Sequence, residues 1–210
     1  MATQYAFHID SSSCVNCKTC QIACQDYHNL SVHSLWRKVF QYGGGVWEGK
    51  EAVPVPRDVF VYSVSIACNH CMNPACMESC PSGAITKDED TGIVRVDSEV
   101  CIGCRTCEQA CPYYAPQFDE ESGPMGKCDM CIDLVKEGKN PVCVDACPMR
   151  ALDVGPIDEL REAFGSVNEL EPLPKASETA PSLVITPHAA AQSVGEGTGT
   201  ILNLEEEILA

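Results

Sequence analysis

The 210-residue sequence predicts an α+β architecture of two related halves, each wound around cysteine loops instead of being packed on large side chains. Three observations carry that prediction. Sixteen cysteines fall into four groups of four, and an offset of 87 residues lays one stretch of chain over another. Aromatic residues make up only 6% of the chain, so something other than large rings must organise its core.

The first group is Cys14, Cys17, Cys20 and Cys24, spaced C-x2-C-x2-C-x3-C, and the third, Cys101, Cys104, Cys107 and Cys111, repeats that spacing. This run binds 4Fe–4S clusters in bacterial ferredoxins, where a proline usually follows the last cysteine. Pro112 follows Cys111, whereas Gln25 follows Cys24. The second group, Cys68, Cys71, Cys76 and Cys80, widens one gap and ends at Pro81. The fourth, Cys128, Cys131, Cys143 and Cys147, holds eleven residues between Cys131 and Cys143 and ends at Pro148.

The spacing has a mechanical reason. Three thiolates in one tight loop hold three corners of a small cube while loop N–H groups point at its sulfurs. A cysteine four residues past the third lies on the same side of the emerging helical turn and faces a neighbouring site. Motifs of this kind therefore work in pairs and exchange their fourth ligands. The repeat agrees: Phe7-x-Ile9-Asp10-x3-Cys14 falls on Val94-x-Val96-Asp97-x3-Cys101, with Lys18 on Arg105 and Thr19 on Thr106. Two ferredoxin-like halves are implied, each unit reading as strand, cluster loop, short helix and strand.

Between the first two groups lie 43 residues with Trp36, Arg37, Gly43-Gly-Gly45, Trp47 and Pro54-Val-Pro56. They read as a packed excursion ending in a strand near Val59 to Ile66, serving either as a partner surface or as a lid over the clusters. After Leu152, Pro156 and the acids that follow it predict a short helix from Ile157 to Phe164, stopped by Gly165. From Glu171 to Thr200 four prolines and many small polar residues predict a chain extended over a surface. Residues 151–210 carry eleven acids against two bases, which reads as a solvated acidic tail or, preferably, as a segment wrapped around a partner. The expected division is 1–27 with 125–170 as the first two-cluster half, 60–124 as the second, 28–59 as an insertion and 171–210 as an extended tail.

Composition removes several function classes. The formal charge of −16 opposes phosphate-backbone binding, so no nucleic-acid partner is expected. The apolar run Val59 to Ala67 is about half of what a spanning helix needs, and the first ten residues lack a basic, twin-arginine or cleavable leader. Disulfide scaffolds are mostly short secreted domains. Paired zinc knuckles resemble only the fourth group, and zinc there would strand Cys24.

The motifs Cys-Asn-His-Cys-x4-Cys-x3-Cys-Pro-Ser-Gly-Ala (68–84), Cys-Ile-Gly-Cys-Arg-x-Cys-x3-Cys-Pro-Tyr (101–113) and Gly-Pro-Ile-Asp-Glu-Leu (155–160) resemble the iron–sulfur subunits of the dimethyl sulfoxide reductase family of molybdopterin oxidoreductases. The resemblance covers nearly the whole chain. It implies tandem two-cluster ferredoxin-like domains holding four 4Fe–4S clusters, with Cys14, Cys17 and Cys20 joined by Cys147, and Cys128, Cys131 and Cys143 joined by Cys24. Likewise it implies Cys68, Cys71 and Cys76 with Cys111, and Cys101, Cys104 and Cys107 with Cys80. Cys104 stands where some relatives that hold a 3Fe–4S cluster replace a cysteine, so four full cubanes are expected. The implied role is a non-catalytic electron relay between a quinol-oxidising membrane anchor subunit and a molybdopterin catalytic subunit. The complex is expected on the outer membrane face by co-export, with cytoplasmic residence as the alternative. A redox subunit of a formate dehydrogenase, hydrogenase, polysulfide reductase or aromatic dehydroxylase, a free polyferredoxin, or a zinc-held scaffold are the rival readings.

Lys18 and Arg105 sit inside cluster loops, where positive charge raises a reduction potential. His70 reads as a loop-packing residue, and His8, His28, His33 and His188 show no ligand spacing and are assigned no role.

Overall fold

The computed structural model describes residues 3–48, 55–120 and 123–208. The expectations for Pro54 and the rest of 49–54, for 121–122 and for the last two residues of the tail lie outside the described residues.

Strand β1 (Tyr5–Asp10) is buried on both faces and ends where the Asp10 carboxylate accepts hydrogen bonds from Ser12 and Ser13. A cluster loop follows, then helix α1 (Thr19–Tyr27). The excursion is a long antiparallel hairpin, β2 (Lys38–Glu48) with β3 (Val55–Ile66), paired from Lys38↔Ile66 to Glu48↔Val55 around a bulge at Gly44/Val46. At its base Val39, Val64 and Ile66 join the main core, while Val46, Val55, Val59 and Val61 at the far end are exposed.

The middle of the chain is built from short pieces: α2 (Ala75–Glu78), β4 (Ile85–Lys87), β5 (Val94–Val96), α3 (Thr106–Ala110), β6 (Gln117–Phe118) and β7 (Met125–Gly126). β4 pairs with β5 and β6 with β7, both antiparallel. Two further short helices, α4 (Ile132–Lys136) and α5 (Val142–Asp145), lead to β8 (Leu152–Pro156), which returns antiparallel to β1. Helix α6 (Ile157–Phe164) starts after Pro156, carries Asp158 and Glu159 in its first turn and stops at Gly165, in agreement with its sequence signals. It packs Ile157 and Leu160 on Ala6 and Val184.

The residues beyond 171 do run extended, but the surface they cross is this chain's own. Strand β9 (Leu183–Thr186) lies parallel to β1, completing the order β8-β1-β9, and Leu183, Val184 and Ile185 are at most 1% exposed. Strand β10 (Thr200–Ile201) then pairs with β2, and helix α7 (Leu204–Ile208) follows. The glycine run in β2 makes this possible: a Cβ on Gly199 would stand 2.7 Å from the Gly43 carbonyl oxygen, and one on Gly44 3.0 Å from the Gly199 Cα. Among the described residues no helix is long and apolar enough to cross a membrane.

Candidate metal centres

Each cysteine loop is bent by residues in the left-handed region. Asn16 and Lys18 have φ of 56° and 57° in the first loop, and Gly103 and Arg105 have 66° and 61° at the matching positions of the third. Non-glycine residues reach this region only where the surrounding structure holds them. The turns that open the two loops match too, with Cys14 N–H donating to Asp10 O (3.1 Å) and Cys101 N–H to Asp97 O (3.0 Å). The Cys-Pro phrases likewise share one turn, Gly83 N–H to Cys80 O and Arg150 N–H to Cys147 O, both 3.3 Å. His70 in the second loop and Met130 and Cys131 in the fourth also have positive φ.

The curled loops meet in quartets. One cavity is lined by Cys14, Cys17, Cys20 and Cys147, with Val39 and Ser65 from the base of the β2/β3 hairpin as its cover. A second is lined by Cys68, Cys71, Cys76 and Cys111, and a third by Cys80, Cys101, Cys104 and Cys107. The remaining four cysteines gather as well: Cys24 feels Cys143 and Cys131, and Cys128 feels Cys24 and Cys143. The quartets follow one another through the molecule. Cys20 of the first is within electrostatic reach of Cys143, Cys128 is within reach of Cys68, and Cys76 shares an apolar cluster with Cys107, Cys80 and Cys101.

The donor chemistry suits a cationic metal–sulfur centre. Burial pushes the Cys24 and Cys76 thiols up to about 12 and those of Cys71 and Cys131 to about 11, so these groups ionise only against a positive centre. Loop N–H groups already aim at sulfur: Met125 N–H at Cys101 Sγ (3.3 Å), Met130 N–H at Cys128 Sγ (3.4 Å) and Ala151 N–H at Cys147 Sγ (3.3 Å). The two exposed thiols are Cys17 and Cys104. Hydrogen bonding from the Thr19 hydroxyl holds Cys17 below its ordinary value, and the Thr106 hydroxyl does the same for Cys104.

Lys18 and Arg105 sit beside those two thiols, but carboxylates meet both. Lys18 Nζ pairs with Glu206 and, at 2.9 Å, with the buried Glu207 of α7; Arg105 Nε pairs with Glu108 at 2.7 Å. His70 is fully buried, and its Nδ1 accepts the Val94 N–H. Four groups close to the sulfurs escape sequence reasoning. His28 Nε2 lies 3.5 Å from Cys131 Sγ, Arg37 is buried among thiols, Lys127 is buried next to Cys128, and Glu207 closes over the first loop. His28 and Arg37 carry no spacing signal, whereas Lys127 is at least marked by its place beside a cysteine.

Comparison with known proteins places these loops in context. Residues 59–157 match the 4Fe-4S dicluster domain, and residues 11–27 match a 4Fe-4S binding domain. The chain is 52% identical to the iron–sulfur chain of the anaerobic dimethyl sulfoxide reductase of Escherichia coli (strain K12), over 98% of this chain and all of that one. The corresponding Haemophilus influenzae chain is 47% identical over 97% of this chain and 98% of its own length. A sulfite dehydrogenase subunit of Allochromatium vinosum is 32% identical over 75% of this chain and 70% of its own.

Proposed function

The chain belongs to the family of dimethyl sulfoxide reductase iron–sulfur chains, electron-transfer subunits of redox complexes, and from that premise we propose that it relays single electrons through four 4Fe–4S clusters to a molybdopterin catalytic subunit of the dimethyl sulfoxide reductase type. The observation that carries this reading is a succession of cysteine quartets in which the only exposed thiols, Cys17 and Cys104, belong to the first and last.

Cys14, Cys17, Cys20 and Cys147 hold one cluster; Cys24, Cys128, Cys131 and Cys143 the next; Cys68, Cys71, Cys76 and Cys111 the third; and Cys80, Cys101, Cys104 and Cys107 the last. Each cluster supplies reversible one-electron storage, its charge spread over iron and sulfur. The chain's own contribution is to hold the thiolates, exclude water from the two inner quartets and leave one edge of each outer quartet near the surface. Cys17 and Cys104, with Val15 (60% exposed) and Ile102 (68% exposed) beside them, form the two edges across which electrons enter and leave. No acid, base or nucleophile of this chain turns over substrate. The donor is a quinol-oxidising membrane anchor subunit, and the complex sits on the outer face of the membrane.

The test is a count of iron and acid-labile sulfide on anaerobically purified complex, followed by a redox titration read by EPR. Four cubanes require about sixteen of each per chain. Cys104→Ser is expected to convert or remove one cluster, lowering iron by about one to four atoms, and to interrupt quinol-coupled turnover. Zinc in place of iron, or full turnover in the Cys104→Ser complex, would refute the relay.

A further inference from the structure

The β2/β3 excursion carries a guanidinium into the middle of the sulfur sites. Arg37, one residue before β2, is 1% exposed. Its Nη1 donates to the Ser65 carbonyl oxygen (3.3 Å) and to Ser65 Oγ (3.2 Å), and its plane lies over the Phe7 ring at 4.5 Å. Ser65 Oγ in turn lies 3.3 Å from Cys20 Sγ. Among the described residues, Arg37 Nε and Nη2 find no hydrogen-bond acceptor. Nor does a carboxylate of those residues offset its charge: the groups acting on it most strongly are Cys143, Cys20, Cys128 and Cys24.

An uncompensated buried guanidinium with two idle donors is unfavourable, since burying a charge needs a partner and each unmet donor loses its hydration. The partner has to be what surrounds it. Cys20 belongs to the first quartet, and Cys24, Cys128 and Cys143 belong to the second, so one cation stands against two sites. The other cations near the sulfurs are differently placed. Lys18 and Arg105 are paired with carboxylates, and Lys127 donates from its ammonium to the Val94 and Cys128 carbonyls.

We propose that Arg37 sets the reduction potentials of two neighbouring clusters at once, those of the Cys14/Cys17/Cys20/Cys147 and Cys24/Cys128/Cys131/Cys143 quartets, by its permanent charge and its two unused N–H donors. The inference rests on the four-cluster reading. A reduced cluster is one charge more negative than an oxidised one, so a fixed cation in a dry site favours the reduced form and raises the potential. Sharing one cation also brings the two potentials up together, which keeps both sites available to the same electron. Arg37 touches neither partner subunit nor substrate in this role, and it acts through the clusters alone.

The experiment uses the intact complex with Arg37→Met and Arg37→Lys, counts iron, and follows all four midpoint potentials by EPR. Cys17→Ser and Cys131→Ser variants assign the signals. With iron at the wild-type level, Arg37→Met is expected to lower the two assigned potentials and leave the other two in place, and Arg37→Lys to lower the same two by less. Unchanged potentials, or an equal shift of all four, would overturn the proposal while leaving the relay intact. If Arg37→Met fails to load, Arg37→Lys decides: it keeps the charge but lacks the fork of N–H groups, so a lowered pair supports the proposal. Wild-type potentials in Arg37→Lys, or loss of the same clusters there, reduce Arg37 to a structural part. Low iron in the wild-type complex would count against the relay itself.

Discussion

Glu207 shows how much a single side chain near the end of the sequence contributes to the first cysteine loop. Its carboxylate is 1% exposed, accepts the Val39 N–H at 3.1 Å, and pairs with Lys18 inside the loop. Glu206, its neighbour, reaches the same ammonium from a side chain that is 66% exposed. The physics of the two pairs differs. A surface pair contributes about 0–1 kcal/mol, whereas removing one member of a buried, hydrogen-bonded pair costs about 3–5 kcal/mol. Lys18 keeps 27% of its surface, so the lower part of that range applies. Glu207→Ala is therefore expected to lower the temperature at which the visible iron–sulfur absorbance bleaches by about 2–4 °C per kcal/mol lost, and Glu206→Ala to leave it nearly unchanged. Equal losses in both variants would mean that the buried pair is not what pins the loop.

At the scale of elements, the acidic composition of residues 151–210 conceals a strand. Nothing in Ser182-Leu-Val-Ile-Thr186 stands out against a background of prolines and small polar residues, and its length is short for a strand assigned by alternation. β1, buried on both faces, supplies the missing reason, because one of its edges is left open after β8 has paired with the other. β9 fills that edge, and Ile185 packs with Phe7, Ile9 and Leu152 in the main core. Ile185→Ala is expected to cost about 2–5 kcal/mol, read as a lower bleaching temperature with unchanged iron content at room temperature. A variant as stable as wild type would show β9 to be a loose strap instead of part of the sheet. The excursion presents the reverse situation: its glycines and aromatics announce a packed hairpin, and the hairpin forms, but why three glycines stand together becomes clear only from the Gly197–Gly199 segment lying on them.

For the whole molecule, the core is largely sulfur. Cys20, Cys68, Cys128, Cys143 and Cys147 lie in the same apolar cluster as Phe7, Val64, Leu152 and Ile185, and the cavities among them are walled by thiols that burial keeps protonated in the absence of a cation. Metal binding then is folding free energy, as in other small metal-held domains. Stripping iron with a chelator under reducing, anaerobic conditions is expected to abolish near-ultraviolet circular dichroism and amide-exchange protection in the cysteine loops. Helix α6 and the β1–β8 pair, which close over aliphatic side chains, are expected to be the last elements to lose protection. Full retention of both signals in the iron-free chain would show a core that stands without its clusters.

Local chemistry is written along the chain: four cysteine groups, the turn that each spacing imposes, the 87-residue echo from Asp10 to Asp97, and the helix bounded by Pro156 and Gly165. These are short-range properties, set by spacing, by φ-permissive residues and by caps, and they are legible without knowing what lies opposite. Family resemblance extended this to the expected ligand sets. What stands between the sites is a matter of the folded molecule alone. Arg37 is one base in an insertion and Glu207 one acid in a run of three, yet the fold buries one against four thiols and the other over a cluster loop. Burial of a charge is a relation among segments distant in sequence, here residues 37, 65 and 143 or 18, 39 and 207, and no window along the chain contains both sides of it.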